Sequence, residues 1–364
     1  MVKLKQTKKR SGSFTFSDLF AGIGGIRIGF EKAGGECVFS SEYDRFAQLT
    51  YESFFGHRPD FSDILKTDPP GDITKLTEID PGLVGRHDIL TGGFPCQPFS
   101  LAGVSKKNSL NRPHGFDDPT QGTLFFHIKE IIRSVKPKAI LLENVKHLKN
   151  HDGGRTFSTI KQTLDECGYN ISHRVVDAKG WVPQHRERIY IVGFRKPSRG
   201  QGWSVDDFDK ILAGIRFAGK PKILSDILEK SVAPKYTLGP GTWDTLKRHR
   251  AKHEAAGNGF GYGIHHPPFG DATRTLSARY HKDGAEILVG QKGRRPRRLT
   301  PLECGRLMGF PRKFLKHFDP ESGHTQPVSD TQAYRQFGNS VAVPVVIRIA
   351  GAMVKSLRKA GAIS

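Results

Sequence analysis

The sequence predicts an α/β protein, in which an open and mostly parallel sheet carries helices on both faces and a smaller, irregular second domain is attached. Three observations lead there. Short apolar runs end in glycine-rich or acidic turns and are followed by helical stretches, the alternation expected of a nucleotide-binding sheet. The chain has 364 residues, more than the roughly 250–300 that one hydrophobic core usually organises. Composition also shifts at Lys196, beyond which Gly, Pro and His become frequent and periodicity weakens. By composition, a basic tail over residues 1–12 and a sheet domain over 13–195 precede a looser second domain that begins at residue 196.

Lys+Arg of 57 against Asp+Glu of 36 gives a net charge of +21, which predicts attraction to a polyanion. Nucleic acid is the first candidate. An anionic membrane is the alternative, but no long apolar span, amphipathic basic helix or lipidation motif is present in the sequence. Cys37, Cys96, Cys167 and Cys304 are widely spaced with no Cys-x-x-Cys pair, so neither a zinc site nor a disulfide scaffold is expected, and a reducing compartment fits. His147 and His151 are spaced for one helical face but lack a third ligand, so no metal is expected. Met1 to Ser11 is rich in Lys and Arg without the apolar stretch of a signal peptide.

Ser13 to Phe20 reads as the first strand. It runs into Ala21-Gly22-Ile23-Gly24-Gly25 and then a helix to about Ala33, the opening of a nucleotide-binding unit whose glycines let a ligand approach the backbone. A dinucleotide fingerprint would need a third glycine at position 27, which is Arg27, so a nicotinamide site fits poorly. Val38 to Ser40 reads as a second strand delivering Glu42 and Tyr43, at the spacing of a carboxylate that binds a ribose diol. Asp72 and Ile73 form a third acidic turn, the Asp able to accept from an adenine amino group and the Ile able to lie on its ring. The implied ligand is an adenosine.

His87 to Leu90 is the next strand, leading into Gly92-Gly93-Phe94-Pro95-Cys96-Gln97-Pro98-Phe99-Ser100. Two prolines bracket Cys96, so the thiol sits on a stiff turn just past a strand end, where open α/β sheets place chemistry. A buried structural thiol is the alternative reading. Leu101 to Gln121 lacks apolar periodicity and reads as a lid that Lys106, Lys107 and Arg112 would close on phosphates, or as a surface loop. A helix from Gly122 to about Val135 precedes the apolar strand Ala139 to Leu142, which delivers Glu143 either as a helix cap or as an acid held for chemistry. After a helix over 155–167 and a further strand, Gln184, Arg186 and Arg188 precede the strand Ile189 to Phe194. At an extended period of two they share one face and can donate into one cleft. The basic run Arg294 to Arg298 leads into a helix, and Ala333 to Pro344 precedes an apolar helix to about Leu357.

Phe94 to Ser100 resembles the signature of the cytosine-C5 DNA methyltransferases, and the remaining segments follow in that family's order over nearly the whole chain. Asp18 to Gly25 resembles the first motif, Glu42 with Tyr43 the second, Asp72-Ile73 the third, and Gly122 to Ile128 the fifth. Glu143-Asn144-Val145 matches Glu-Asn-Val, and Gln184-x-Arg186-x-Arg188 resembles the eighth motif. Arg294 to Pro311 resembles the ninth, and Ala333 to Pro344 the tenth, which returns to the large domain.

The resemblance implies a Rossmann-like, S-adenosylmethionine-dependent methyltransferase sheet as the catalytic and cofactor-binding domain over 13–195, a target-recognition domain over 196–325, and a return to the catalytic domain over 326–364. The cofactor would be held by Asp18, Phe20, Ala21, Gly22, Ile23, Gly24, Gly25, Glu42, Tyr43, Asp72, Ile73, Gly93, Leu124, Asn339 and Val341. Cys96 would add to carbon 6 of a flipped cytosine, with Glu143 on the ring N3 and amine, Arg188 on O2, and Arg188 or Arg186 lowering the thiol pKa. The substrate would be double-stranded DNA, contacted by Ser100, Lys106, Lys107, Arg112, Gln184, Arg274, Arg279 and Lys282. Thr273 to Leu288 is similar to the recognition segment of bacterial enzymes that modify CCWGG-type sites, which leaves CCWGG, CCNGG and CCGG as targets. A monomeric, cytoplasmic and nucleoid-associated bacterial enzyme is expected, with a cognate restriction endonuclease as a functional partner or as an orphan. Transfer RNA is the alternative substrate, because an RNA-directed branch shares Pro-Cys and Glu-Asn-Val. A silent DNA-binding regulator is opposed by the joint presence of Cys96, Glu143 and Arg188, and a nicotinamide oxidoreductase by the missing glycine.

Overall fold

The computed structural model describes residues 13–59, 72–94, 124–257 and 261–364. In chain order the sheet domain contains β1 (Thr15–Leu19), α1 (Gly25–Lys32), β2 (Glu36–Ser41), α2 (Arg45–Phe55), α3 (Ile73–Ile79), β3 (Ile89–Gly93), α4 (Leu124–Val135), β4 (Ala139–Val145), α5 (Arg155–Glu166), β5 (Tyr169–Asp177) and β6 (Glu187–Arg195). There follow α6 (Phe208–Ala213), α7 (Pro240–Ala255), β7 (Ile264–His265), β8 (Leu288–Gln291), β9 (Arg294–Arg298), α8 (Pro301–Leu307), α9 (Arg312–Leu315), α10 (Asp330–Asn339) and α11 (Val343–Lys359).

Six strands lie in the order β2-β1-β3-β4-β6-β5. The first four are parallel, whereas β6 runs antiparallel to both β4 and β5. Parallel strands are joined by crossovers that cover both faces, so their residues are largely buried, apolar in the run Ala139 to Leu142 and polar at Ser17, Asp18 and Thr91. From β1 the chain steps to β2 on one side and then to β3 on the other, and the crevice of such a sheet lies beyond the carboxyl ends at that reversal. Leu19 is level with Ser41 and Gly92, and Gly93 with Glu143. The turns after β1, β2 and β3 therefore open beside the end of β4.

The apolar positions of α11, including Val346, Ile349, Ala350, Met353 and Leu357, recur every three or four residues and are buried. The helix lies against α1, where a Cβ on Gly29 would stand 2.6 Å from Val346 Cγ1. Among the described residues, one stretch, 330–359, is long and apolar enough to cross a membrane. It consists of α10 and α11, broken between them, and its apolar side lies in the protein core.

The core of the sheet takes in residues beyond β6. Val205, Ile211, Leu212 and Ile215 join the core of the sheet, and Arg174 Nη1 donates to the carbonyls of Leu212 and Ala213. Ala333, Tyr334 and Phe337 of α10 pack with Leu299, Leu302 and Phe314 in a second core that also takes in Ile23, Ile28 and Ala47 of the sheet domain. Gly and Pro content reports loops, not which core a segment's few apolar residues join. The second domain has a small sheet, β7-β8-β9. Its basic run is partly structural, because Arg297 is buried and pairs bidentately with Glu303 at 2.7 and 2.8 Å.

Candidate active site

The glycine turn after β1 is braced from beneath. Asp18 is fully buried, and its carboxylate accepts from the Thr91 hydroxyl at 3.0 Å and the Arg27 amide at 3.2 Å. Burial pushes its pKa up to about 7. Asp18 therefore holds the turn to β3 and α1 instead of lining the crevice, which corrects its expected cofactor contact. Phe20, Gly22 and Gly24 all have positive φ, at 55°, 56° and 83°. A Cβ on Gly24 would meet the Phe55 ring at 2.3 Å, whereas the space beside Gly22 is open. The same backbone conformation in Phe20 stores roughly 1–3 kcal/mol of strain and sets its ring beside Gly92.

Glu42 closes the turn. Its Oε2 accepts from the Gly22 amide and its Oε1 from the Asp44 amide, both at 2.7 Å. Burial raises its pKa against the pull of these amides. Each oxygen keeps a second lone pair, so the carboxylate can still take both hydroxyls of a diol. Tyr43 beside it is 60% exposed, and Asp44 and Arg45 after it are exposed too. Asp72 caps α3, its Oδ1 accepting from the Thr74 amide and hydroxyl, and Ile73 is buried. Ala21 donates its amide to Ser41, and Ile23 turns into the second core. Leu124 is half-buried at the start of α4. Gly25 lies against the turn after α10, where a Cβ would stand 2.9 Å from Ser340 Oγ and Val341 Cγ2; Asn339 in the same turn is exposed.

At the end of β4, Glu143 forms an ion pair with Arg188, Oε1 to Nε at 3.3 Å. The antiparallel register of β6, with Val145 opposite Arg188, brings the two together. Burial raises the Glu143 pKa and Arg188, then Arg186, oppose it. Asn144 Nδ2 donates to the Phe94 carbonyl at 3.0 Å, which fixes the chain beside Glu143 two residues before Cys96. Cys96 itself, with Ser100, Lys106, Lys107 and Arg112, lies outside the described residues.

Two members of the Gln-x-Arg-x-Arg segment face elsewhere. Arg186 is 1% exposed and donates to the carbonyls of Leu276 (2.9 Å), Gly338 (2.9 Å) and Ser340. Burial, then Arg188, lowers its pKa to about 9, so it stays charged at neutral pH. It ties the recognition segment to the turn after α10, and its expected catalytic contact is corrected to a positioning one. Gln184 is wholly buried, its Nε2 donating to the Leu307 carbonyl and its Oε1 accepting from the Leu276 amide, each at 3.1 Å. Both ends are occupied by protein, so the expected duplex contact is also corrected. The extended alternation assumed over 184–188 fails because β6 begins only at Glu187.

Arg274 is exposed, with its guanidinium donating to the Gly261 carbonyl, while Arg279 and Lys282 are exposed on the turn that follows Leu276. Sequence reasoning missed Thr91, Asn144 and Gln48, whose Nε2 donates to the Glu42 carbonyl at 2.7 Å. Asn144 stood inside a motif; nothing in the sequence marks Gln48. Among the described residues no group of three or more His, Cys, Asp or Glu is placed to hold a metal.

A glycine turn closed by a carboxylate, one strand away from a buried acid paired with an arginine, defines a group-transfer enzyme of the open α/β class. The chain belongs to the C-5 cytosine-specific DNA methylase family, whose model matches residues 14–355. It is 46% identical to the DNA-cytosine methyltransferase of Escherichia coli K12, covering 96% of this chain and 79% of that one. The type II methyltransferase M.SsoII of Shigella sonnei is 48% identical over 95% of this chain and 82% of its own, and M.HpaII of Haemophilus parainfluenzae 43% identical over 92% and 87%. The crystal structure of S. pombe Dnmt2 methyltransferase shares the fold, with a TM-score of 0.65 at 20% identity over 95% of this chain and 99% of that one.

Proposed function

We propose that the protein methylates carbon 5 of a cytosine flipped out of a short specific site in double-stranded DNA, with Cys96 as the covalent nucleophile. The observation that carries this reading is the buried Glu143–Arg188 pair, which the strand register sets beside Gly93, three residues before Cys96 in the chain. Carbon 5 of cytosine is a poor nucleophile. Bond formation between the Cys96 thiolate and carbon 6 releases the electron pair of the 5,6 double bond to carbon 5, dividing one high barrier into two lower ones. Glu143 in its protonated form donates to N3 as charge builds in the ring, and Arg188 donates to O2. Removal of the carbon-5 proton by a base then expels the thiolate and restores the double bond. S-adenosylmethionine supplies the electrophilic methyl group when bound. Glu42, Tyr43, Asp72, Ile73, Gly93, Leu124, Asn339, Val341 and the turn Phe20 to Gly25 would hold it. Support for that fit comes from the spare lone pairs of Glu42 and the open space at Gly22.

A CCWGG, CCNGG or CCGG target, a cytoplasmic and nucleoid-associated monomer, and a cognate restriction endonuclease as functional partner complete the reading. Arg274, Arg279 and Lys282, all exposed, are assigned to groove contacts, and Lys106, Lys107 and Arg112 to phosphates. The test is bisulfite mapping of duplex DNA treated with the purified protein, alongside labelled methyl transfer to duplex and to transfer RNA. Methylation at one short duplex site is expected. Cys96→Ser should lose both methyl transfer and the covalent adduct with fluorocytosine DNA while still binding duplex. Transfer to RNA alone, or an adduct persisting in Cys96→Ser, overturns the reading.

A further inference from the structure

α3 is only seven residues long, and the acid assigned to the adenine amine is its own cap. Asp72 Oδ1 accepts from the Thr74 amide at 2.9 Å and the Thr74 hydroxyl at 2.8 Å, which leaves Oδ2 for a ligand. Wherever the helix sits, this carboxylate and Ile73 go with it. So short a helix has little stability of its own, and its place is set by what it packs on. Ile73 and Leu76 share a core with Phe125 and Ile128 of α4. Apolar burial is non-directional, so it sets the spacing of the two helices more firmly than the rotation of one about its axis.

A directional contact crosses between the same helices. Thr77 Oγ1 and His127 Nδ1 are hydrogen-bonded, and Oγ1 also lies 3.0 Å from the Thr74 carbonyl and 3.2 Å from that of Ile73. Either placement of the shared proton leaves one bond from α3 to α4. Thr77 follows Ile73 by four residues and His127 follows Leu124 by three, so on each helix the bonded residue shares a face with an assigned cofactor contact. Both residues are half-buried. Burial lowers the His127 pKa, opposed by Asp72 first and then by Glu78 and Glu130. The ring is therefore neutral at neutral pH and stands within electrostatic reach of the capping acid. No step of the proposed chemistry uses either residue.

We propose that His127 is a positioning residue for the methyl donor: its bond to Thr77 fixes α3 on α4 and so holds Asp72 and Ile73 in register with Leu124 for the adenosine. The bond pre-forms that end of the site, so its loss is felt as affinity and not in the methyl-transfer step. The inference rests on S-adenosylmethionine being the ligand of the crevice.

Titration calorimetry of the full chain with S-adenosylmethionine and with S-adenosylhomocysteine tests this. Thr77→Val keeps the shape of the side chain and removes the hydroxyl, and His127→Leu removes the ring nitrogen. Each should weaken both ligands about threefold to tenfold, the weight of one hydrogen bond, and by the same factor for the two, since both carry adenosine. The double variant should bind no more weakly than the weaker single one, because the same bond is lost in all three. Thr77→Ser and His127→Asn keep a hydroxyl and a polar atom at the Nδ1 position, and should bind within about twofold of the wild type. In steady-state assays KM for S-adenosylmethionine should rise while kcat at its saturation stays at the wild-type value. Unchanged affinity in Thr77→Val and His127→Leu overturns the proposal. So do losses that add in the double variant, or that Thr77→Ser and His127→Asn share, since either pattern means separate damage to packing. A fall in kcat with KM unchanged overturns it too. A wild type that binds neither ligand would instead overturn the reading of the crevice on which the inference rests.

Discussion

Replacing Arg186 by Met separates two arginines that stand two residues apart in one motif. Met approximates the volume of the stem and donates nothing. Three buried carbonyls, those of Leu276, Gly338 and Ser340, lose a charged donor. A buried acceptor left unpaired costs about 1–3 kcal/mol, and removal of a buried cation relieves part of that through desolvation. The net loss expected from urea unfolding is about 3–5 kcal/mol. Binding of both DNA and S-adenosylmethionine should weaken, because the three carbonyls belong to the recognition segment and to the turn that touches Gly25. The single-turnover rate from the saturated complex should fall less than about tenfold, since no step is assigned to Arg186. Arg188→Met should behave oppositely, losing about 10²–10³ in that rate, as for the removal of a donor to developing charge. Its stability should change little, because Glu143, already raised in pKa by burial, can take up a proton when its partner goes. If Arg186→Met is as stable as the wild type but loses the chemical step, Arg186 is a catalytic residue and the assignment of its carbonyl cage as its role is wrong.

Three further outcomes follow from the same site and its support. The rate should fall as pH rises through the elevated pKa of Glu143, because only its protonated form donates to N3; Glu143→Gln should flatten that limb of the kcat/KM profile and lower the rate about 10²–10⁴-fold. Glu42→Gln loses an acceptor for either the Gly22 or the Asp44 amide, an interaction worth about 1.5–3 kcal/mol, and titration calorimetry should show S-adenosylmethionine binding roughly 10–100-fold more weakly. His87 is buried between the Ser17 hydroxyl and the Gly85 carbonyl, and burial lowers its pKa from 6.5 to about 4. The unfolded chain binds that proton first, so the stability His87 contributes is complete above pH 6.5 and is lost as pH falls toward 4. This amounts to about 3 kcal/mol. Urea unfolding of wild type and His87→Gln at pH 7 and 4.5 should show a smaller acid loss in the variant, and equal losses would refute this account.

What the sequence made legible follows from how local each signal is. A strand, a glycine turn and an acid at the next strand end are all set by neighbours in the chain, so the sheet and the crevice around Gly22, Glu42 and Glu143 could be read directly. Which way a polar side chain turns is decided by distant carbonyls. Arg186 and Arg188 are chemically identical and sit in one motif, yet one meets Glu143 and the other meets residues 276, 338 and 340. Gln184 was misplaced for the same reason. The small sheet β7-β8-β9 and α7 carry weak periodicity because few of their residues face a core, so composition alone could not locate them.

The contacts that unite the two domains explain why motifs from both ends of the chain serve one crevice. Ile23, Ile28 and Ala47 of the sheet domain lie in the second core, so the glycine turn is itself part of the junction. The recognition segment meets the turn after α10 so closely that a Cβ on Gly338 would stand 2.3 Å from the backbone of Ser277. Arg186 then bonds both sides of that contact, and the neighbouring Val341 packs on Gly25. A backbone contact of this kind cannot slide gradually, since close-packed surfaces yield in steps or not at all. Recognition segment, return turn and glycine turn are therefore positioned together, and a change in any one of them reaches the other two through directly touching atoms.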